Sequence, residues 1–219
     1  QVVAGLGPAA FSEISGEVVQ PSLTVFGTAP SASVLTKFVS MSGRSATDYR
    51  VALARGPLLE STRDALIRNP DSRLTPPSAS DMPLLSRYAK AWQGVKTGDN
   101  EYFTVNFWEI PQVDGAWQRL LSSSAGTDFY SGRSSLIRDG RLSAPTEWAR
   151  IQGMDAWGSE GVAVSAVGSF RSTLYRGEVF DSSPTVIIPG DRQHLEAIWA
   201  FCVSGKLEEA VRKIDSKTA

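Results

Sequence analysis

From Tyr102 onward the chain is cut into short apolar segments that leave little room for crossover helices. YFTVNFWEI, SLIRDGRL, GVAVSAV, FRSTLYRG and TVIIP follow one another with Gly, Asp or Pro between them. Parallel strands need connections of a dozen residues or more, whereas antiparallel strands can be joined by tight turns. The spacing therefore predicts a mainly antiparallel β domain with some long loops. The C-terminus changes style. Asp191 is a suitable N-cap for HLEAIWAFCV, Gly205 a stop, and LEEAVRKI a second helix. The predicted class is α+β, closed by a C-terminal helix pair.

The N-terminal part reads differently. After a turn-rich opening come two apolar segments, GEVVQPSLTVF (Gly16 to Phe26) and VLTKFVSM (Val34 to Met41), both predicted as strands. Asp48 can cap a short helix through Ala54, and Pro57 opens a second amphipathic stretch, LLESTRDALI. Asn69 to Pro83 is rich in Pro and Ser, the composition of a linker. We therefore divide the chain into residues 1–75 and 76–219. All six tryptophans fall in the second part, between Trp92 and Trp199.

Several function classes are disfavoured by what the chain contains. One histidine, His194, and one cysteine, Cys202, cannot build a His/Cys zinc site of the usual kind. His194 reads most simply as a surface residue at a helix N-terminus. No disulfide framework is possible, which suits a reducing cytoplasm. There is no G-x-S-x-G elbow to activate a serine and no Walker loop. AGLGPAAF, at Ala4 to Phe11, fits no dinucleotide fingerprint. No apolar run approaches the roughly 20 residues that span a bilayer. Neither a catalytic nor a metal site is expected.

The net charge of −1 argues mildly against nucleic acid, but the charge is unevenly spread. Between Ser131 and Arg176 six arginines face four acids, and there is no lysine. Arginine without lysine suits planar, bidentate recognition; a salt-laced surface is the plainer alternative. A second uneven feature is QGVKTGDN, Gln93 to Asn100. Gly94 and Gly98 flank a tight turn on which Lys96, Thr97, Asp99 and Asn100 crowd together, directly before an aromatic segment. A well-formed β-turn would account for TGDN by itself.

AWQGVKTGDNEYFTVNFWEI resembles the start of the target-recognition domain of adenine-specific DNA methyltransferases of the type II restriction–modification kind. Methylases of BREX-like phage-exclusion and DISARM systems carry similar segments. Ala156 to Asp215 is similar to the second half of that domain, where a small-residue strand, a hairpin with a G-x-x-F-D turn, an I-I-P strand and a closing helix pair follow in order. GPAAFSEISGEVVQPSLTVF resembles the last strands of the methyltransferase α/β domain that precedes it. Residues 1–75 are accordingly expected to be the end of that domain plus a linker. The family's Asn/Asp-Pro-Pro-Tyr/Phe motif is absent, the nearest string being NPDS at Asn69 to Ser72, and so is its glycine-rich S-adenosylmethionine loop. The resemblance implies a fragment that does not itself transfer methyl groups. S-adenosylmethionine is expected for the full-length parent, in a methyltransferase domain N-terminal to this sequence.

The expected partners are double-stranded DNA and that methyltransferase domain. Such an enzyme extrudes its adenine while the rest of the duplex is held in register. Phosphate contacts set position and base-edge contacts set sequence. On that view Gly94 and Gly98 admit a phosphate to backbone N–H groups, Lys96 supplies charge and Thr97 a hydroxyl. Asp99 and Asn100 lock the turn or reach a base. Tyr130, Arg133 and Ser134 lie on a Gly-containing loop, followed by Arg138. Trp157 and Ser159 precede the small-residue strand that holds Ser165. Small residues there would admit DNA or, equally, pack strands tightly. Trp108, Trp148 and Trp199 are assigned to the core. A carbohydrate-binding or protein-binding β domain is the alternative class.

Overall fold

A computed structural model describes residues 1–5, 21–27, 35–40, 51, 53–69, 73–76, 83–142, 149–166 and 168–214. The expected cap at Asp48, the segment from Gly16 to Gln20, and Trp148 lie outside the described residues. The fold is α+β. The chain divides after Pro83 into two compact units.

The first unit is a four-stranded sheet in the order β2-β1-β3-β4, formed by β1 (Val2–Gly5), β2 (Ser22–Val25), β3 (Leu35–Ser40) and β4 (Leu58–Thr62). β1 and β3 run parallel; β2 and β4 are antiparallel to their neighbours. Val3, Phe38 and Leu66 form its small core. LLESTRDALI is not one amphipathic helix. Its first half is β4, and Thr62 then caps the five-residue helix α1 (Arg63–Ile67) by accepting from the Ala65 N–H. β-Branched and hydroxyl residues at Ser61 and Thr62 favour a strand followed by a cap over a continuous helix. Beyond it, the Asn69 amide donates to the carbonyls of Arg73 (3.0 Å) and Thr75 (2.9 Å), pinning a loop. This asparagine, the nearest match to the family's catalytic one, is used structurally.

The second unit carries two four-stranded sheets and a two-stranded ladder. One sheet is antiparallel throughout, in the order β12-β11-β14-β5: β5 (Ala89–Gln93), β11 (Gly161–Ser165), β12 (Ser172–Tyr175) and β14 (Pro184–Pro189). Every residue of β11 is buried, because both faces are covered. Val162, Val164 and Ile187 pack with Ile198 and Cys202 of helix α4 (Leu195–Val203). Ala163, Val186 and Tyr175 point the other way, against Leu121, Ala156 and Phe180. Alternation with a period of two thus feeds two cores from one strand.

The other sheet has the order β13-β8-β9-β7, with β7 (Thr104–Asn106), β8 (Trp117–Leu121), β9 (Ser135–Arg138) and β13 (Val179–Phe180). β13 and β8 are parallel and the rest antiparallel. The ladder joins β6 (Lys96–Thr97) to β10 (Ala149–Arg150). Asp191 caps as expected, accepting from the Gln193 N–H at 3.0 Å at the start of a 3-10 turn that leads into α4. Gly205, at φ 78°, ends α4 before helix α5 (Lys206–Ile214). The left-handed conformation there is one that glycine adopts without cost.

Two local expectations fail. YFTVNFWEI is not a long strand. Asn100–Phe103 is a turn of helix, α2, and only Thr104–Asn106 is β. SLIRDGRL likewise divides into β9 and the short helix α3 (Asp139–Leu142). Asp99 caps the first of these helical turns, and Asp139 opens the second, an acidic start that a helix N-terminus favours.

Candidate nucleic-acid interface

The turn after β5 is built on close backbone contact. Gly94 is buried, and a Cβ there would sit 2.1 Å from the Phe180 carbonyl oxygen and 2.4 Å from that of Asp181. The adjacent Val95 N–H donates to the same Phe180 oxygen at 2.8 Å. Gly94 is therefore glycine because β13 lies against it, and the space expected for a phosphate is filled by the protein's own backbone. Gly98, by contrast, is exposed.

Three of the four crowded side chains are used within the turn. Asp99 is the N-cap of α2, its carboxylate accepting from the Tyr102 N–H at 3.1 Å. The Thr97 hydroxyl donates to the Asn100 side-chain oxygen. The Thr104 hydroxyl donates to the Asn100 carbonyl at 2.8 Å, and Phe103, almost wholly buried, anchors the far end. The turn is thus locked by its own side chains, as one of the two readings of Asp99 and Asn100 required. Lys96 is left over. It is exposed and has no ion pair with a described residue.

Across the ladder, Arg150 is the direct partner of Lys96, and it is exposed as well. The segment that follows is held close: the Gln152 amide donates to the Gln93 side-chain oxygen at 3.1 Å, and Gly153 (φ 76°) packs where a Cβ would meet the Gln93 carbonyl oxygen at 2.5 Å. Arg150 was not singled out from sequence. A two-residue strand has no periodicity to detect, and the only signal was membership of the lysine-free arginine span.

Arg133 requires a correction. Its side chain is 4% exposed and ion-paired to Glu178 at 2.6 Å. The guanidinium also donates to the Ser131 carbonyl (2.8 Å), to the Thr173 hydroxyl (3.3 Å) and to the Leu174 carbonyl, and it lies 4.3 Å from the centre of the Tyr130 ring. With its donors committed inside the fold, it has nothing to offer a base edge. Tyr130 is exposed on the outer side of this arginine, and Ser134 is exposed beside it. Arg138, at the end of β9, is exposed with its guanidinium 5.8 Å from the Trp117 ring centre.

The Trp157–Ser165 group is also interior in large part. Trp157 packs between two core clusters, and its indole N–H is buried without a partner among the described residues. Ser165 is buried, and its hydroxyl has no partner among the described residues either. Ser159 is half-buried, its N–H donating to the Ala156 carbonyl at 3.1 Å. A Cβ on Gly161 would meet the Ile187 carbonyl oxygen at 2.3 Å, and one on Gly177 the Cα of Gly158 at 2.7 Å. Small residues here serve tight packing. Ser165 and Trp157 cannot be first contacts for DNA without rearrangement.

Three aromatic and imidazole assignments differ from expectation or refine it. Trp108 is not core: it is 62% exposed and stands edge-on to the exposed Phe107, 5.0 Å between ring centres. Trp199 is half-buried against the α4 core and stacks with Phe129. His194 is half-buried, edge-on to Tyr88 at 5.1 Å, rather than free on the surface.

Among the described residues no group of three or more His, Cys, Asp or Glu side chains is arranged to hold a metal. No described helix is long and apolar enough to cross a membrane. A groove of about 400 Å³ runs beside β5, lined by Leu85, Ser86, Ala89, Lys90, Ala91, Trp92 and Ile187. It has neither a carboxylate for ribose hydroxyls nor a glycine-rich loop, so it does not fit S-adenosylmethionine. Compared with known proteins, the chain matches no family model and no curated sequence.

Proposed function

We propose that this chain supplies DNA sequence choice to an adenine-specific methyltransferase of a restriction–modification or phage-defence system, acting in the cytoplasm on double-stranded DNA. The observation that carries the reading is the turn from Gly94 to Asn100. Its polar side chains are spent on locking the backbone, and the cation Lys96 is left exposed on that rigid support. A positioned charge on a stiff element is what holding a duplex in register demands. The resemblance of AWQGVKTGDNEYF to the family's target-recognition domains gives the same segment the same role.

In this reading the first unit belongs to the end of the methyltransferase domain. Its support is the exposed apolar surface of the first sheet, with Leu23, Val25, Phe26, Leu58 and Leu59 each half or more exposed. Leu58 and Leu59, adjacent on β4, point to opposite faces, and apolar side chains left exposed in this way suit a unit that packs against something else. In this reading methyl transfer and S-adenosylmethionine binding belong to the methyltransferase domain.

A gel-shift titration of the full chain against mixed-sequence duplex DNA tests the proposal. Affinity is expected to fall steeply between about 50 and 200 mM salt, because phosphate contacts release counterions. Binding that is absent at low salt, or a carbohydrate ligand bound with no salt dependence, would sink it.

A further inference from the structure

Among the described residues the ladder between β6 and β10 has two residue pairs, and one of them sets Lys96 directly opposite Arg150. Side chains opposite each other on an antiparallel pair share a face, about 5 Å apart at Cβ. Like charges so placed repel, which works against pairing in so short a ladder. Both residues are exposed, and neither forms an ion pair with a described acid. Nor can the two strands easily drift apart. Gly94 is wedged under Phe180, Gln93 is bonded to Gln152, and Gly153 is packed on the Gln93 carbonyl.

We propose that Lys96 and Arg150 are the two jaws of a clamp that closes on one phosphodiester of the DNA backbone. The inference rests on the DNA-binding reading and adds to it a specific site and a second residue. The two side chains are complementary for this task. Arginine presents a planar fork that matches two non-bridging oxygens, and lysine adds a compact charge that can approach from the other side. One shared anion converts the repulsion across the ladder into attraction on both sides. Because the turn and the segment after β10 are locked before binding, little ordering cost is added when the anion arrives. The clamp reads no sequence. It fixes register, leaving base contacts to other exposed side chains.

The test uses the full chain with a duplex of about 21 base pairs, two helical turns, and compares the parent sequence with Lys96→Ala, Arg150→Ala and the double variant. Both sites are exposed, so the variants are expected to fold, and their melting curves at low salt check this. Each single variant is expected to weaken binding to all duplex sequences alike. The double variant should lower the slope of log affinity against log salt by about one unit in total, because a single phosphate is lost. An unchanged slope overturns the clamp, and so does a fall of about two units, which would mean two separate phosphates. A second arm needs no DNA. Inorganic phosphate should raise the Tm of the parent sequence more than that of the double variant, and equal shifts overturn the clamp. The two arms keep the proposals apart. DNA binding with unaltered slopes removes the clamp and spares the DNA reading, whereas selective phosphate stabilisation with no duplex binding spares the anion site and removes the DNA reading.

Discussion

Arg133 carries the clearest lesson at the scale of single residues. On the sequence it stands on a loop, in a lysine-free arginine run, where a base-reading role is reasonable. In the fold it reaches inward to Glu178 and to the backbone of Ser131 and Leu174. Nothing local in the sequence reveals that, because Glu178 lies 45 residues away. Removing one partner of a buried pair leaves the other charge stranded, at a cost of about 3–5 kcal/mol. We therefore predict that Arg133→Ala lowers the chemical-denaturation midpoint strongly, and that any loss of DNA binding follows from unfolding. A variant with unchanged stability and selectively altered DNA binding would restore Arg133 to the reading surface. Gly94 teaches the converse. Its importance was legible, but the reason was not, since the obstacle to a side chain is the Phe180 carbonyl rather than a ligand.

At the scale of elements, local chemistry decided most of what could be read. Asp191 and Gly205 bracket α4 as their capping preferences require, and GVAVS is a buried strand as its apolar run implies. What escaped were elements whose signal is weak or mixed. β5 is AKAWQ and β8 is WQRLL, neither alternating cleanly, and β13 has two residues. Tyr102–Ile110 reads as a strand from its aromatic content, but the Asp99 cap starts a helical turn over Asn100–Phe103 that takes in its first two residues. That cap yields a prediction. Asp99→Ala should cost about 1 kcal/mol through loss of the Tyr102 N–H acceptor. Lys96→Ala, which removes no internal bond, should leave Tm nearly unchanged and weaken DNA binding. Calorimetric melting of the two variants checks the order. If Lys96→Ala proves the more destabilising, the lysine is part of the scaffold.

At the scale of the whole chain, the second unit's core can be followed through one atom. Cys202 on α4 is the chain's only cysteine, buried against Val162, Val164 and Ile187, and burial pushes its thiol up to about 12. A group raised this far stays protonated, hence unreactive, through the neutral range, and becomes an ordinary thiol only when α4 leaves the sheet. Labelling with a disulfide reagent at neutral pH is therefore expected to be slow in the native protein and fast in denaturant. Rapid native labelling would show that the helix pair opens readily from the sheet. The central strand of this core is legible in the sequence as the apolar run GVAVS, whereas the candidate interface is only partly so. Its exposed lysine lies in a recognisable turn, but the opposing arginine arrives from a two-residue strand 54 positions later.

Selection from a randomised duplex library tests whether this chain chooses DNA by sequence. The full chain is incubated with the library at low salt, and the bound DNA is recovered and sequenced over successive rounds. We predict enrichment of a short defined motif containing an adenine, with Lys96→Ala lowering the yield of bound DNA while leaving the motif the same. A bound pool as random as the input, or no bound pool at all, would contradict it.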